Sequence, residues 1–281
     1  MGLGQTLVLG VIAGATILIG MPVGRARRLS ATVKLFLNAV AIGVLLFLVW
    51  DVLSGAWEPL DAALSAEHEG TGGIGPVLGY GALFAGGLTV GLMGLVAYDR
   101  YLARARRPRS VGPGSMSADE HLGRGIASWS PGRHLALLIA VGIGLHNFAE
   151  GLAIGQSAAA GDIALATVLV IGFALHNATE GFGIVAPMAA EASQPSWGFL
   201  LVLAAIGGGP TVVGTFVGHG FTSDAVSVLF LTLAAGSIIY VVVQLLGVAS
   251  AARRMDVLCW GLLLGLLAGF ATDAIVTAGG V

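Results

Sequence analysis

The chain has 281 residues, 56% of them hydrophobic and only 10% charged, with mean hydropathy +0.93 and a formal net charge of −2. A soluble domain carries about a quarter charged residues, so this composition excludes a water-soluble enzyme or binding module and predicts an all-α integral membrane protein. The near-zero charge says nothing about partners, and the single cysteine, Cys259, excludes an internal disulfide and reads as a packing residue.

Eight apolar runs are long enough to cross about 30 Å of hydrocarbon. The first, 5–23, has no basic residue before it and a basic cluster after it, so it is expected to be a first span with an external N-terminus rather than a cleaved signal. The second, 31–53, holds Asn38, read as a helix–helix hydrogen bond, and is closed by Asp51. The acidic stretch 57–73, with His68, reads as a solvated external loop, and 74–98 is the third run. A Pro-, Gly-, Ser- and Arg-rich segment follows at 103–131, expected to be a flexible cytoplasmic linker in which Asp119, Glu120 and His121 are solvated. The remaining runs are 132–158, 162–189, 196–219, 224–250 and 255–279; His219 falls near the outer end of the sixth and Asp273 near that of the eighth.

All 13 Lys and Arg fall in or near the loops between runs one and two, three and four, and seven and eight, with Lys34 and Arg133 just inside the ends of runs two and four. By the positive-inside rule these loops face the cytoplasm and both termini are external. The opposite side carries Asp51, Glu58, Asp61, Glu67, Glu69, Asp162, Asp224 and Asp273. Asp51 and Asp273 form either a cation-capturing pair at the external mouth or an interfacial pair with no metal role. Little chain remains outside the bilayer, so residues 1–281 are expected to form a single membrane domain.

The fourth and fifth runs contain one motif twice. Residues 141–155 read VGIGLHNFAEGLAIG and residues 171–185 read IGFALHNATEGFGIV. At an offset of 30, His146, Asn147, Glu150 and Gly151 recur as His176, Asn177, Glu180 and Gly181. Consecutive spans cross in opposite directions, so this direct repeat becomes an inverted pair near the midplane, as in many secondary transporters. A fainter echo at an offset of 194 matches Ile12, Gly14 and Gly20 to Ile206, Gly208 and Gly214. Together they predict a 3+2+3 inverted-repeat arrangement.

Ionisable groups in hydrocarbon are costly and mark function. On a helix each His shares a face with the Glu four residues on, and each Asn, three residues before that Glu, reaches the same stripe. If the two stripes face each other, His146, Glu150, His176 and Glu180 converge, with Asn147 and Asn177 beside them. Imidazole plus carboxylate suits Zn²⁺, Fe²⁺ and similar ions, and the lack of Cys or Met ligands argues against Cu⁺. The bland alternative is a hydrogen-bond network joining two helices. No H-E-x-x-H hydrolase pattern is present, because Asn follows each His.

At 146–151 and 176–181 the chain resembles the bacterial branch of the ZIP family of divalent metal transporters, with its H-N-x-P-E-G motifs on the fourth and fifth helices. The resemblance extends to span number, the long loop between spans three and four, and the external termini. It implies a transporter, not an enzyme, moving Zn²⁺ (Fe²⁺, Mn²⁺ and Cd²⁺ being relatives in chemistry) through the inner membrane into the cytoplasm. His146, Asn147, Glu150, His176, Asn177 and Glu180 would be the metal residues, with no catalytic residue, no cofactor, no nucleic acid, membrane lipid as surroundings and a homodimer allowed. The motif proline is replaced by Ala149 and Thr179, which predicts straighter helices. Gly209 stands before Pro210 where the family often has Glu, and Gln244 stands where relatives carry a carboxylate. One metal rather than two is therefore expected, with Gly209→Glu restoring a second position. The alternatives are an intramembrane metalloenzyme and a metal-occupied sensory or structural protein.

Overall fold

The computed structural model describes residues 1–26, 30–105, 129–161, 163–191, 193–220 and 223–278; Asp119, Glu120, His121 and Asp162 lie outside them. Among the described residues there are helices and no strands, and eight helical segments are long and apolar enough to cross a membrane. We label them α1 (Leu3–Arg25), α2 (Ala31–His68), α3 (Ile74–Ala105), α4 (Pro131–Ala159), α5 (Ile163–Val185), α6 (Trp197–Gly220), α7 (Asp224–Ser250) and α8 (Met255–Ala278).

Local chemistry sets the ends. Ser30 and Ser130 cap α2 and α4, each hydroxyl accepting from the backbone N–H three residues on. Gly70 and Gly161 take positive φ just past the ends of α2 and α4, a conformation costly for residues with a Cβ. α1 is interrupted at Thr16, whose hydroxyl donates to the Ala13 carbonyl at 2.6 Å, and it finishes in a 3-10 turn over Met21–Arg25. α4 runs unbroken through its motif, as expected without the proline.

The second helix corrects the expected external loop. It continues for 38 residues to His68, carrying Pro59 inside it, so Trp57–His68 is helix and the helix does not stop at Asp51. Leu60 is buried on this extension while Glu58, Asp61 and Glu67 are exposed, an amphipathic pattern hidden in an acidic composition. Cys259 is also corrected: it is exposed on α8, not packed inside.

The helices sort into two groups of four. α1, α4, α5 and α6 pack together, as do α2, α3, α7 and α8, and the groups meet where α4 lies on α7 and α5 on α2. Within each group glycines bring backbones into contact, as expected where helices associate in lipid by close packing. A Cβ on Gly151 would strike the Thr211 carbonyl of α6, and one on Gly181 the Ile17 carbonyl of α1. Gly214 of α6 lies against Phe148 and Leu152, and Gly20 of α1 against Ala178 and Phe182. These pairs map onto each other by the sequence offsets of 30 and 194. The second group repeats the arrangement: Gly43 of α2 lies on Leu262 and Leu266 of α8, and Gly236 of α7 on Leu88 and Leu92 of α3.

Gly151→Val and Gly181→Val should each lower the unfolding temperature of the detergent-solubilised protein, at a cost of about 1–3 kcal/mol for overpacking. Gly209→Ala, where an added Cβ meets nothing within 4 Å, should not lower it. Thermal unfolding followed by circular dichroism reads all three.

Candidate metal centre

α4 and α5 bring their motifs together in the interior. His146, Glu150 and His176 present ligand atoms that all lie within 4.8 Å of one another. His146 and Glu150 are 1% and 5% exposed, which places an acid and its partner imidazole out of reach of bulk solvent. His146 Nε2 lies 2.8 Å from Glu150 Oε1, and His176 Nε2 bonds the same oxygen from the neighbouring helix. One carboxylate oxygen thus sits between two imidazoles. The rings themselves are 5.9 Å apart, tilted by 40°.

Glu180 is outside the cluster of ligand atoms within 4.8 Å of one another, and its carboxylate is within electrostatic reach of both His146 and His176. Its Oε2 accepts from Asn147 Nδ2 at 3.3 Å, so it stands one amide away. The offset follows from what the asparagines do. Asn147 Nδ2 also donates to Gly207 O of α6 at 3.0 Å, and Asn177 Nδ2 donates to Ala13 O of α1 at 3.1 Å. The two amides therefore tie α4 to α6 and α5 to α1 in matching ways.

The oxygens left over matter chemically. Asn147 Oδ1, Asn177 Oδ1, Glu150 Oε2 and Glu180 Oε1 are buried acceptors with no protein donor. Native buried polar atoms are overwhelmingly paired, and a cation is the partner such a donor-poor set suits. Two imidazole nitrogens and a carboxylate match the ligand types of zinc, and the second carboxylate offsets the remaining charge where burying an ion is costly.

Asp51 of α2 is within electrostatic reach of His146, His176 and Glu150, and also of Asp273 on α8. The second group of helices thus contributes the charge of Asp51 to the field at the motif. Gly209 does not. It lines an apolar groove between α1 and α6 with Val11, Leu18, Leu201 and Val212, and none of the triad lines that groove. This apolar setting does not support the expectation that Gly209→Glu completes a second metal position. Gln244 is engaged elsewhere, donating to the Tyr240 hydroxyl at 2.7 Å. Asn38 is buried, but its Oδ1 has no donor, so the expected bridge is not made through that atom. His219 leaves Nδ1 buried and without a partner.

Sequence reasoning passed over His134, which is buried one turn into α4 with Nδ1 3.2 Å from the Ser130 carbonyl and its ring edge-on to Trp129. The signal was available: a His four residues after a Ser-Pro helix start. It also passed over the Ala13 and Gly207 carbonyls, which flank the matched Gly14 and Gly208 of the weaker repeat.

The family described as "ZIP Zinc transporter" matches residues 105–276, more than half of the chain. A curated relative, "Zinc transporter ZupT" of Shigella dysenteriae serotype 1 (strain Sd197), is 33% identical over 155 residues, covering 55% of this chain and 50% of the relative. The protein of that name from Escherichia coli O1:K1 / APEC is 33% identical over the same length and coverage. That of Salmonella arizonae (strain ATCC BAA-731 / CDC346-86 / RSK2980) is 32% identical over 157 residues. The chain spans about half the length of the curated relatives it matches.

Purified protein loaded with zinc should hold one ion per chain at the triad, giving a single anomalous peak. Gly209→Glu should leave that stoichiometry unchanged. Two fully occupied peaks about 4 Å apart, the spacing of binuclear sites, would contradict the single-ion reading.

Proposed function

This chain belongs to the ZIP zinc transporter family, and on that premise we propose that it carries a divalent transition metal, zinc first, across the inner membrane into the cytoplasm. The family is one of transporters rather than enzymes. The observation that carries the reading is the buried triad of His146, Glu150 and His176, with the second carboxylate of Glu180 one amide away. An acid between two imidazoles in a membrane interior has a cost that structure alone does not repay.

In this proposal His146, Glu150 and His176 are the primary ligands. Glu180 joins as the ion enters or leaves, and Asn147 and Asn177 are auxiliary oxygen donors whose main work is to hold the helices. The protein is one membrane domain in a 3+2+3 inverted-repeat arrangement, surrounded by lipid, with both termini external. Asp51 and Asp273 draw cations toward the site from the external side. The electrostatic reach of Asp51 to Asp273 and to the triad supports the mouth reading over a purely interfacial one.

Release inward follows from rocking of one four-helix group against the other. Tight backbone contacts lie within the groups, whereas at Gly142, on the α4–α7 boundary, the nearest neighbour is the Val241 side chain. Gly183 of α5 meets Ala41 and Leu245 only at 3.8 Å. A boundary made of side chains slides at lower cost than one made of interlocked backbones. No ATP-binding motif is present in the sequence, so the metal gradient or a coupled ion drives the movement.

Uptake of radioactive zinc into proteoliposomes tests the reading. Glu150→Ala should abolish saturable uptake in a folded protein, because both imidazoles lose their shared partner. Glu180→Ala should also remove it, and normal uptake by both variants would sink the assignment.

Binding requires neutral imidazole and ionised carboxylate, so protons and metal compete for the same atoms. With unperturbed values of about 6.5 for His and 4.3 for Glu, zinc should bind more weakly at about pH 5 than at about pH 7.5. Isothermal titration at the two values checks the sign.

A further inference from the structure

Ser237 of α7 lies on the boundary between the two helix groups and plays no part in the metal centre. It is fully buried. Its hydroxyl donates to the Gly142 carbonyl of α4 at 2.9 Å, and a second acceptor, the Ala234 carbonyl on its own helix, lies at 2.7 Å. A serine hydroxyl has one proton, so the two carbonyls compete for it. Gly142 stands one turn before His146, and in the α-helical ladder its carbonyl accepts the His146 backbone N–H. The contact is close: a Cβ on Gly142 would lie 2.8 Å from the Val241 side chain and 3.4 Å from the Ser237 carbonyl.

Breaking this bond leaves nothing bare. The proton turns to Ala234, and the Gly142 carbonyl keeps its helical partner. A buried bond usually resists rupture because an orphaned polar atom is expensive in a low-dielectric interior. Here that expense is absent, as suits a contact that must open and close.

The paired contacts of the second group supply the other half of the argument. Gly43 of α2 corresponds to Gly236 of α7, since their partners on α8 and α3 correspond in turn. The counterpart of Ser237 is then Val44, which is buried and has no donor. The α4–α7 boundary has a hydroxyl at this position, and by the same correspondence α2 has the aliphatic Val44, which offers no donor. When one group moves against the other in an inverted-repeat carrier, the two boundaries exchange environments. A bond available to one boundary alone makes the two end states unequal.

We propose that Ser237 is a positioning residue that biases the carrier toward the arrangement in which α4 is bonded to α7, through a hydrogen bond to Gly142 that its counterpart Val44 cannot make. The proposal rests on the transport reading for its meaning, and its test is arranged so that the two fail separately.

In a Cys259→Ser background, Ala160→Cys at the outer end of α4 and Ala225→Cys at the outer end of α7 carry a spin-label pair across the boundary. Distance distributions are recorded in lipid vesicles. Ser237→Ala should shift the ratio of the two distance populations by about twofold to threefold, the low end for one hydrogen bond, because Ala234 takes the proton when the Gly142 bond opens. Val44→Ser should shift it in the same direction by favouring the opposite state, and Ser237→Thr should keep the parent ratio. Zinc affinity in detergent should stay at the parent value for Ser237→Ala while the maximal uptake rate changes. A Ser237→Ala distribution identical to the parent's overturns the proposal, as does a loss of zinc affinity equal to the change in rate. A parent protein that takes up no zinc refutes the transport reading, and the distance ratios still decide the bias.

Discussion

Two side-chain amides fix the centre of this molecule. Asn147 reaches the Gly207 carbonyl and Asn177 the Ala13 carbonyl, so α4 is registered on α6 and α5 on α1. Interhelical bonds of this kind are individually modest, about 0.6 kcal/mol on average. Their value here is directional. Each amide follows its histidine by one residue, and when the amide turns toward its outer helix the imidazole turns toward the seam between α4 and α5. Gly151 and Gly181, four residues beyond each Asn, let the outer helices come close enough for the amides to reach. Without that approach the two histidines would have no reason to share Glu150.

The parts of this architecture that depend on period and polarity were legible in the sequence. The eight spans followed from hydropathy, and the imidazole–carboxylate pairing from the thirty-residue repeat. What escaped was of a different kind. The extension of α2 to His68 was hidden because acidic residues suggest loop, whereas only Leu60 and its neighbours on one face report the helix. The separation of Glu180 from the triad escaped because spacing tells which residues share a face, not which amide will claim an oxygen first. Gly209 was placed by alignment of motifs, yet its direction depends on the rotation of α6 about its axis, which no local pattern specifies. The glycine echo between α1 and α6 was visible but faint, and it gains meaning only from contacts such as Gly14 on Gly208.

Those contacts also explain how a protein with so many glycines keeps its shape. Glycine weakens an isolated helix by about 1 kcal/mol relative to alanine. In this chain most of the buried ones face another backbone in the same group of four, where a methyl would not fit. The cost to each helix is therefore recovered in cohesion of the group. Because the same device is sparse where the groups meet, each group holds together more firmly than the two hold to each other, and the metal triad belongs wholly to one of them.

The long second helix has a practical side. Its 38 residues extend about 57 Å at 1.5 Å each, close to twice the about 30 Å thickness of hydrocarbon. The surplus is a helical extension, continuous with the helix that carries Asp51. Small membrane proteins with little mass outside the bilayer are hard to align in electron micrographs, and a helical overhang offers a natural fusion point for a fiducial domain or an epitope for an antibody fragment. A tag joined there in helical register would report the orientation of α2 directly.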